Sequence, residues 1–166
     1  TMAHLTLLTA SDGKNMVLAE KFAAQASSMG HTTDIVDLMA LEWPVYCNKL
    51  AKGGFRPEDV KDVMARMDEG VGWVCIAPEY NGSLPSALNN TIAWISKQGD
   101  DFRALFNNRK VGLATHSGGG GDYVIMAMRQ QFGYLGCNVI GRSVTSNFSK
   151  EANPETIESI LNQLCA

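Results

Sequence analysis

The stretch VGWVCIA at residues 71–77 is apolar at nearly every position and runs without a break into PEYNGSLP at 78–85. Seven residues with no polar alternation mark a strand covered on both faces, a type found in parallel sheets flanked by helices. The exit from that strand is both stiff and polar. Pro78 and Pro85 fix φ, Gly82 is free to take positive φ, and Tyr80 offers an aromatic ring. A buried strand ending in such a turn predicts an α/β sheet with its chemistry at the carboxyl ends of the strands.

Apolar runs alternate with helical periodicities on either side of this stretch, as in successive βαβ units. Upstream, residues 57–67 place Val60, Val63, Met64 and Met67 on one helical face, with Gly70 as a stop. Residues 39–55 show no period and read as a long loop, 33–38 as strand two and 4–10 as strand one. Between those strands, Val17, Leu18, Phe22, Ala26 and Met29 recur at helical spacing from Met16 onward, and Gly30 suits a helix end. Downstream, Leu84, Leu88, Ile92 and Ile95 mark a helix over 85–97, a weaker helical turn falls at 102–106, and 110–115 makes strand four. Val124, Ile125, Met128 and Phe132 define the next helix, 138–144 the fifth strand, and Asn153 with Pro154 the capped start of a last helix. With no internal repeat and no linker, residues 1–166 read as a single domain.

Of the 166 residues, 45% are hydrophobic and 19% charged, the balance of an ordinary globular chain. A net charge of −3 gives no footprint for nucleic acid or an anionic membrane surface. No apolar run approaches the roughly 20 residues of a membrane span. The first residues lack a basic segment leading into an apolar one, so the expected compartment is the cytoplasm. Cys47, Cys75, Cys137 and Cys165 are scattered, without C-x-x-C or a nearby His, and read as idle or buried thiols rather than a metal site.

Ligands of open parallel sheets bind beyond the strand ends, where strand order reverses. Three loops there are unusual. The first, Ser11-Asp12-Gly13-Lys14-Asn15-Met16, enters a helix N-terminus, where free amides and the helix dipole favour a phosphate. Ser11 and Asn15 add side-chain donors and Lys14 a positive charge, although a plain capping turn would use the same residues. The second loop, Pro78, Glu79, Tyr80, Asn81, Gly82 and Ser83, has rigid amides suited to the edge of a planar heterocycle, with Tyr80 against or beside its face. A turn selected for shape alone is the alternative. The third, Thr115-His116-Ser117 and then Gly118 to Gly121, opens a helix. Each glycine costs ~0.5–1 kcal/mol in chain entropy relative to alanine, so the run implies close approach by a ligand, or else a hinge. It is not G-x-G-x-x-G after a first strand, which disfavours an NAD-binding Rossmann domain.

These residues carry a family resemblance. Residues 74–96 resemble the signature P-x-Y-N-x-S-x-P-x-x-L-K-N-x-I-D-W of the NADPH-dependent FMN reductases, with Pro78, Tyr80, Asn81, Ser83, Pro85, Leu88, Asn90, Ile92 and Trp94 in register. The glycine-rich loop resembles that family's third flavin loop. Three departures stand out: the arginine of a G-S-x-R-x-x-S first loop is missing, Asn89 and Ala93 replace the usual Lys and Asp, and His116 stands where small residues are common.

The resemblance implies a flavodoxin-like three-layer sandwich, a five-stranded parallel sheet in the order 2-1-3-4-5 with helices on both faces. It implies FMN, with Ser11, Lys14, Asn15 and Met16 at the phosphate, Pro78 to Ser83 at the isoalloxazine, and Ser117, Gly118 and Gly119 at the pyrimidine edge. His116 either reaches the flavin or caps its strand. No protein nucleophile is needed, because the flavin carries the hydride chemistry. The implied reaction is ping-pong: NAD(P)H stacks on the flavin, gives hydride to N5 and departs, and a quinone, azo compound, free flavin or metal ion takes the electrons. Tyr80, Asn48 and the 39–55 loop are candidates for the pocket wall, and Trp94, Phe102, Leu105 and Phe106 for the contact of a homodimer. A flavodoxin-type electron carrier without NAD(P)H turnover is the competing class; such carriers are strongly acidic, which a charge of −3 does not match. A fold that has lost its flavin is the third reading.

Overall fold

Five parallel strands form one sheet: β1 (His4–Thr9), β2 (Thr32–Asp37), β3 (Gly72–Ile76), β4 (Lys110–His116) and β5 (Asn138–Ser146), in the order β2-β1-β3-β4-β5. The computed structural model describes residues 1–166. The order is the flavodoxin-like 2-1-3-4-5, and its reversal falls between β1 and β3.

Every residue of β3 is buried because helices cover both faces, and its side chains alternate between two cores. Trp73, Cys75 and Ala77 point to the core packed by α3 (Val60–Glu69), α4 (Ser86–Ile95) and α5 (Asp122–Tyr134). Val74 and Ile76 point to the opposite core, packed by α1 (Lys14–Ser28) and α6 (Pro154–Cys165). Burial of each such large apolar side chain contributes roughly 1.5–3 kcal/mol. Helix α6 lies close against the sheet because β4 has no side chain at Gly112, where a Cβ would stand 2.5 Å from Ile160 Cγ2. Asn153 starts that helix by accepting a hydrogen bond from the Glu155 amide at 2.9 Å, with Pro154 in its first turn.

Several boundaries differ from the sequence expectation for identifiable reasons. Helix α1 begins at Lys14, so Lys14, Asn15 and Met16 belong to its first turn. The 39–55 segment contains a short helix, α2 (Asn48–Lys52), with no buried residue and hence no apolar period. The helix expected from Pro57 starts at Val60, after a turn closed by the Val60 amide on the Pro57 carbonyl. Residues 102–106 lie in consecutive turns, with the Ala104 and Phe106 amides on the Asp101 and Arg103 carbonyls and a single i→i+4 bond from the Asn107 amide to Arg103 at 2.8 Å, too short a run for a helix. Gly70 ends α3 in an extended conformation (φ −72°, ψ 127°), and it is glycine because a Cβ would stand 2.5 Å from Thr6 Oγ1. In β5, Val139 faces Val111 and Ser143 faces Leu113, so residues 140–142 bulge opposite Gly112 and the strand runs on to Ser146.

Trp94, Leu105 and Phe106, expected at a subunit contact, are buried within the chain. Phe106 meets Trp73 edge-on at 5.7 Å, and Trp94 takes the ring of Tyr46 at 5.0 Å; of the four only Phe102 is exposed. No helix is long and apolar enough to cross a membrane.

Candidate functional site

The three loops singled out above meet at one rim of the sheet, and hydrogen bonds tie the first and the second each to the third. The buried Asn15 side chain makes a reciprocal pair with the backbone of His116: its Oδ1 accepts from the His116 amide at 2.8 Å and its Nδ2 donates to the His116 carbonyl at 3.0 Å. Its side-chain amide therefore serves the fold, pinning the exit of β1 to the end of β4. Ser11 is also turned inward, its Oγ accepting from the Gly13 amide at 3.2 Å. The amides of Asp12, Lys14 and Asn15 have no partner within the protein. Three free donors at or just before the start of a 15-residue helix favour an anion, and the exposed Lys14 adds a positive charge beside the exposed Asp12. Met16 is half-buried behind them.

The second loop is a two-residue hairpin tip. Asn81 (φ 52°) and Gly82 (φ 75°) are both left-handed, and Tyr80 and Ser83 exchange N–H···O bonds of 3.1 Å on either side of them. This is the type I′ turn that Asn-Gly favours, and it leaves the Asn81 and Gly82 amides pointing out of the protein without partners. Pro78 is buried at the base and Tyr80 is exposed. Glu79 joins the loop to its neighbours: its amide donates to Ser117 Oγ at 3.1 Å, and its Oε2 accepts from the Val124 amide at 3.1 Å. The carboxylate thus caps α5, whose own N-cap residue, Gly121, has no side chain.

In the third loop the glycines have different causes. Gly121 (φ 77°) is required by the protein, since a Cβ there would lie 2.5 Å from Thr115 Cγ2. Gly118 and Gly119 have nothing within 4 Å of where a Cβ would stand, and their amides are unpaired. They leave an open, donor-lined surface beside the hairpin tip. Ser117 is buried, its Oγ 2.9 Å from Thr115 Oγ1. His116 places its ring on the other side, with Nδ1 3.1 Å from Ser146 Oγ and its ring edge-on to Phe148 at 5.1 Å. Burial, and then the charges of Lys14 and Lys21, hold its pKa below the usual histidine range.

Asn90 and Trp94, noted in the sequence only as signature positions, shape this rim through bonds to the 43–46 segment that the sequence did not indicate. Trp94 Nε1 donates to the Pro44 carbonyl at 2.7 Å. Asn90 donates to the carbonyls of Pro44 (3.1 Å) and Trp43 (3.3 Å) and accepts from the Tyr46 amide at 2.8 Å. These α4 residues strap 43–46 over the sheet end, leaving a cleft of about 330 Å³ whose walls include Leu41, Trp43, Val45, Ala87 and Thr91. The signal available for Asn90 is an amide amid the apolar positions of α4. Neither Tyr80 nor Asn48 lines this cleft; Asn48 opens α2 and accepts from the Tyr46 hydroxyl at 3.3 Å. Cys75 and Cys137 are buried, and burial pushes the Cys137 thiol up to about 12.

Comparison with known proteins bears on the fold and the family. The chain is 25% identical over 142 residues to an FMN-dependent NADH:quinone oxidoreductase of Shewanella amazonensis, covering 72% of each chain. It is 24% identical over 146 residues to an uncharacterized protein of Mycoplasma pneumoniae, covering 86% of each. Its fold is similar to that of the flavoenzyme NAD(P)H:acceptor oxidoreductase FerB of Paracoccus denitrificans, with a TM-score of 0.74 at 15% identity over 98% of this chain and 93% of that one. The sequence profile of the NADPH-dependent FMN reductases matches residues 5–151, and the chain therefore belongs to that family of NAD(P)H-dependent oxidoreductases that use FMN.

Proposed function

We propose that this protein binds FMN across the three-loop rim and passes electrons from NAD(P)H to a small acceptor, a quinone, azo compound, free flavin or metal ion, in a ping-pong sequence. What carries the reading is the set of unpartnered amides at 12, 14, 15, 81, 82, 118 and 119, on loops bonded together at one sheet end. They fit a phosphate at one end and the heteroatom edge of a flat ring at the other.

In this assignment the Asp12, Lys14 and Asn15 amides and the Lys14 ammonium hold the phosphate, with Ser11 and Met16 shaping the loop. Residues 78–83 border the ring, and Ser117, Gly118 and Gly119 face its pyrimidine edge. When bound, FMN supplies a hydride acceptor at N5 and a site for return of the electrons. The protein orients the ring, keeps one face open beside the exposed Tyr80, and supplies amide dipoles without a nucleophile of its own. The 39–55 segment walls the acceptor side, where Leu41, Trp43 and Val45 give an apolar surface. Residues 1–166 act as one FMN-binding domain in the cytoplasm, where reduced pyridine nucleotides are at hand. The protein works as a homodimer: Tyr123, Met126 and Tyr134 form an exposed stripe along one face of α5, which starts at the rim, suited to a second copy.

The test is a visible spectrum after incubation with FMN, then NADPH oxidation with a quinone and no other reductase. Bound flavin with steady turnover and parallel double-reciprocal plots is expected. Failure to take up flavin overturns the site, whereas uptake without turnover points to a one-electron carrier.

A further inference from the structure

The cleft of about 330 Å³ under the 43–46 strap takes in the first residue of α4, Ser86. Ser86 follows Ser83 by three residues, so the cleft floor starts within about 11 Å of the loop assigned to the flavin ring. Leu41, Trp43 and Val45 supply an apolar wall and Glu42 the one charged group; no lysine, arginine or histidine lines the cleft. The layer behind is acidic as well: Asp59 accepts the Trp43 indole N–H at 2.7 Å, and Asp37 accepts the Met39 amide at 2.9 Å. The cations of the same segment are elsewhere, Lys49 and Lys52 on α2 and the Arg56 guanidinium on the Ala51 and Phe55 carbonyls. Glu42 has φ 50°, a left-handed backbone that glycine adopts freely and a residue with a side chain only at a cost. The next residue holds it there, since the Trp43 carbonyl is bonded by Asn90 and its indole by Asp59. Neither ion pair of the protein, Arg66–Asp34 or Arg109–Asp68, involves Glu42. The Ser86 and Ala87 amides have no partner within the protein and are donors for a carbonyl oxygen. A helix end amounts to about half a positive charge, so the full charge of Glu42 outweighs it.

We propose that this cleft selects the electron acceptor by charge: a flat, uncharged quinone of one or two rings enters, and Glu42 turns away anionic acceptors. This rests on the reading of the rim as an FMN site and narrows the acceptors named for it. Sulfonated azo dyes, anionic metal chelates and the phosphate-bearing free flavin are disfavoured, because each would set a negative group against Glu42 with no cation to pair it. A bare metal ion finds one carboxylate here and no cluster of ligands. An uncharged ring packs against Leu41, Trp43 and Val45, and the free α4 amides serve its carbonyl oxygen. The cleft is at the small end of the ~300–1,000 Å³ range of ligand sites, which suits two rings better than a second flavin nucleotide.

The experiment titrates naphthol and naphthalene sulfonate, one uncharged and one anionic, into the protein with and without FMN. The Trp43 indole N–H resonance, assigned with Trp43→Phe, is followed by NMR. Naphthol is expected to shift it, with naphthalene sulfonate binding about tenfold more weakly. Glu42→Lys should narrow that gap to about threefold or less, Glu42→Gln should fall between, and added salt should narrow it in the parent. In turnover with NADPH, the KM for naphthoquinone sulfonate divided by that for naphthoquinone should fall about fivefold from the parent to Glu42→Lys. Three results overturn the proposal: equal binding of the two naphthalenes by the parent, a gap unchanged in Glu42→Lys, or binding that leaves the Trp43 resonance in place. Absence of turnover with every quinone, beside the expected contrast in binding, overturns the proposed function and leaves charge selection by the cleft standing.

Discussion

The Glu79 carboxylate caps the amide of Val124, 45 residues away, at 3.1 Å. One side chain of the second loop thereby sets the start of the helix that the third loop enters. Replacing Glu79 with Ala removes this cap, and a loss of about 1 kcal/mol in denaturant unfolding is expected, with several-fold weaker FMN binding by fluorescence quenching. Glu79→Gln keeps an acceptor oxygen and should recover most of the stability. Equal behaviour of the two variants would argue against a capping role.

Asn15 is bonded twice to one backbone unit while almost wholly buried. Asn15→Ala leaves a buried amide and carbonyl unsatisfied, so a cost of ~2–4 kcal/mol is expected in urea unfolding. Asn15→Asp, which keeps one acceptor but brings a charge, should be no better.

Trp94 and Asn90 hold the 43–46 strap through its carbonyls. Trp94→Phe preserves the ring packing and deletes one hydrogen bond, for an expected cost of about 1 kcal/mol. If the strap walls the acceptor side, the KM for a quinone should change more than FMN affinity does. A change in FMN affinity alone would remove the strap from that role.

Gly112→Ala sets a methyl group 2.5 Å from Ile160 Cγ2, so α6 must shift from the sheet. The expected cost is ~1–3 kcal/mol by thermal or chemical unfolding. Gly118→Ala, placed in open space, should leave unfolding almost unchanged while weakening FMN binding.

Arg66 grips Asp34 with two bonds of 2.7 and 2.8 Å and holds its carboxyl below the usual value of 3.8. A folded-state pKa that is lowered adds stability above the unfolded value. That stability is lost as pH falls below 3.8 through the lowered one. The pair is partly exposed and screened, so Asp34→Asn should cost only ~0.5–1 kcal/mol at neutral pH, and the difference from the parent should fade in acid.

The layered sheet was legible because its signals are local: the unbroken apolar run at 71–77, helical spacing between runs, and Asn153-Pro154 at a helix start. The three loops stood out for the same reason, and Asn81-Gly82 specifies its turn by backbone preference alone. Contacts made across the chain were not legible. Nothing near Asn15 announces His116, and Glu79 reads as an exposed acid until Val124 is brought to it. Trp94, Leu105 and Phe106 read as a candidate subunit contact because an apolar residue looks alike whether its cover comes from its own chain or another. Gly70 looked like an ordinary helix stop, since the approach of Thr6 depends on strand placement.

The link between Asn15 and His116 spans 101 positions, and it bears on the order in which the molecule is assembled. The first βα unit cannot acquire its finished loop, where we propose the phosphate binds, until the fourth strand has docked beside the third. Contacts this distant in sequence are slow to form. A nascent chain still missing that strand would be unable to retain flavin, however complete its opening helix, so cofactor capture belongs to the closing stage of folding.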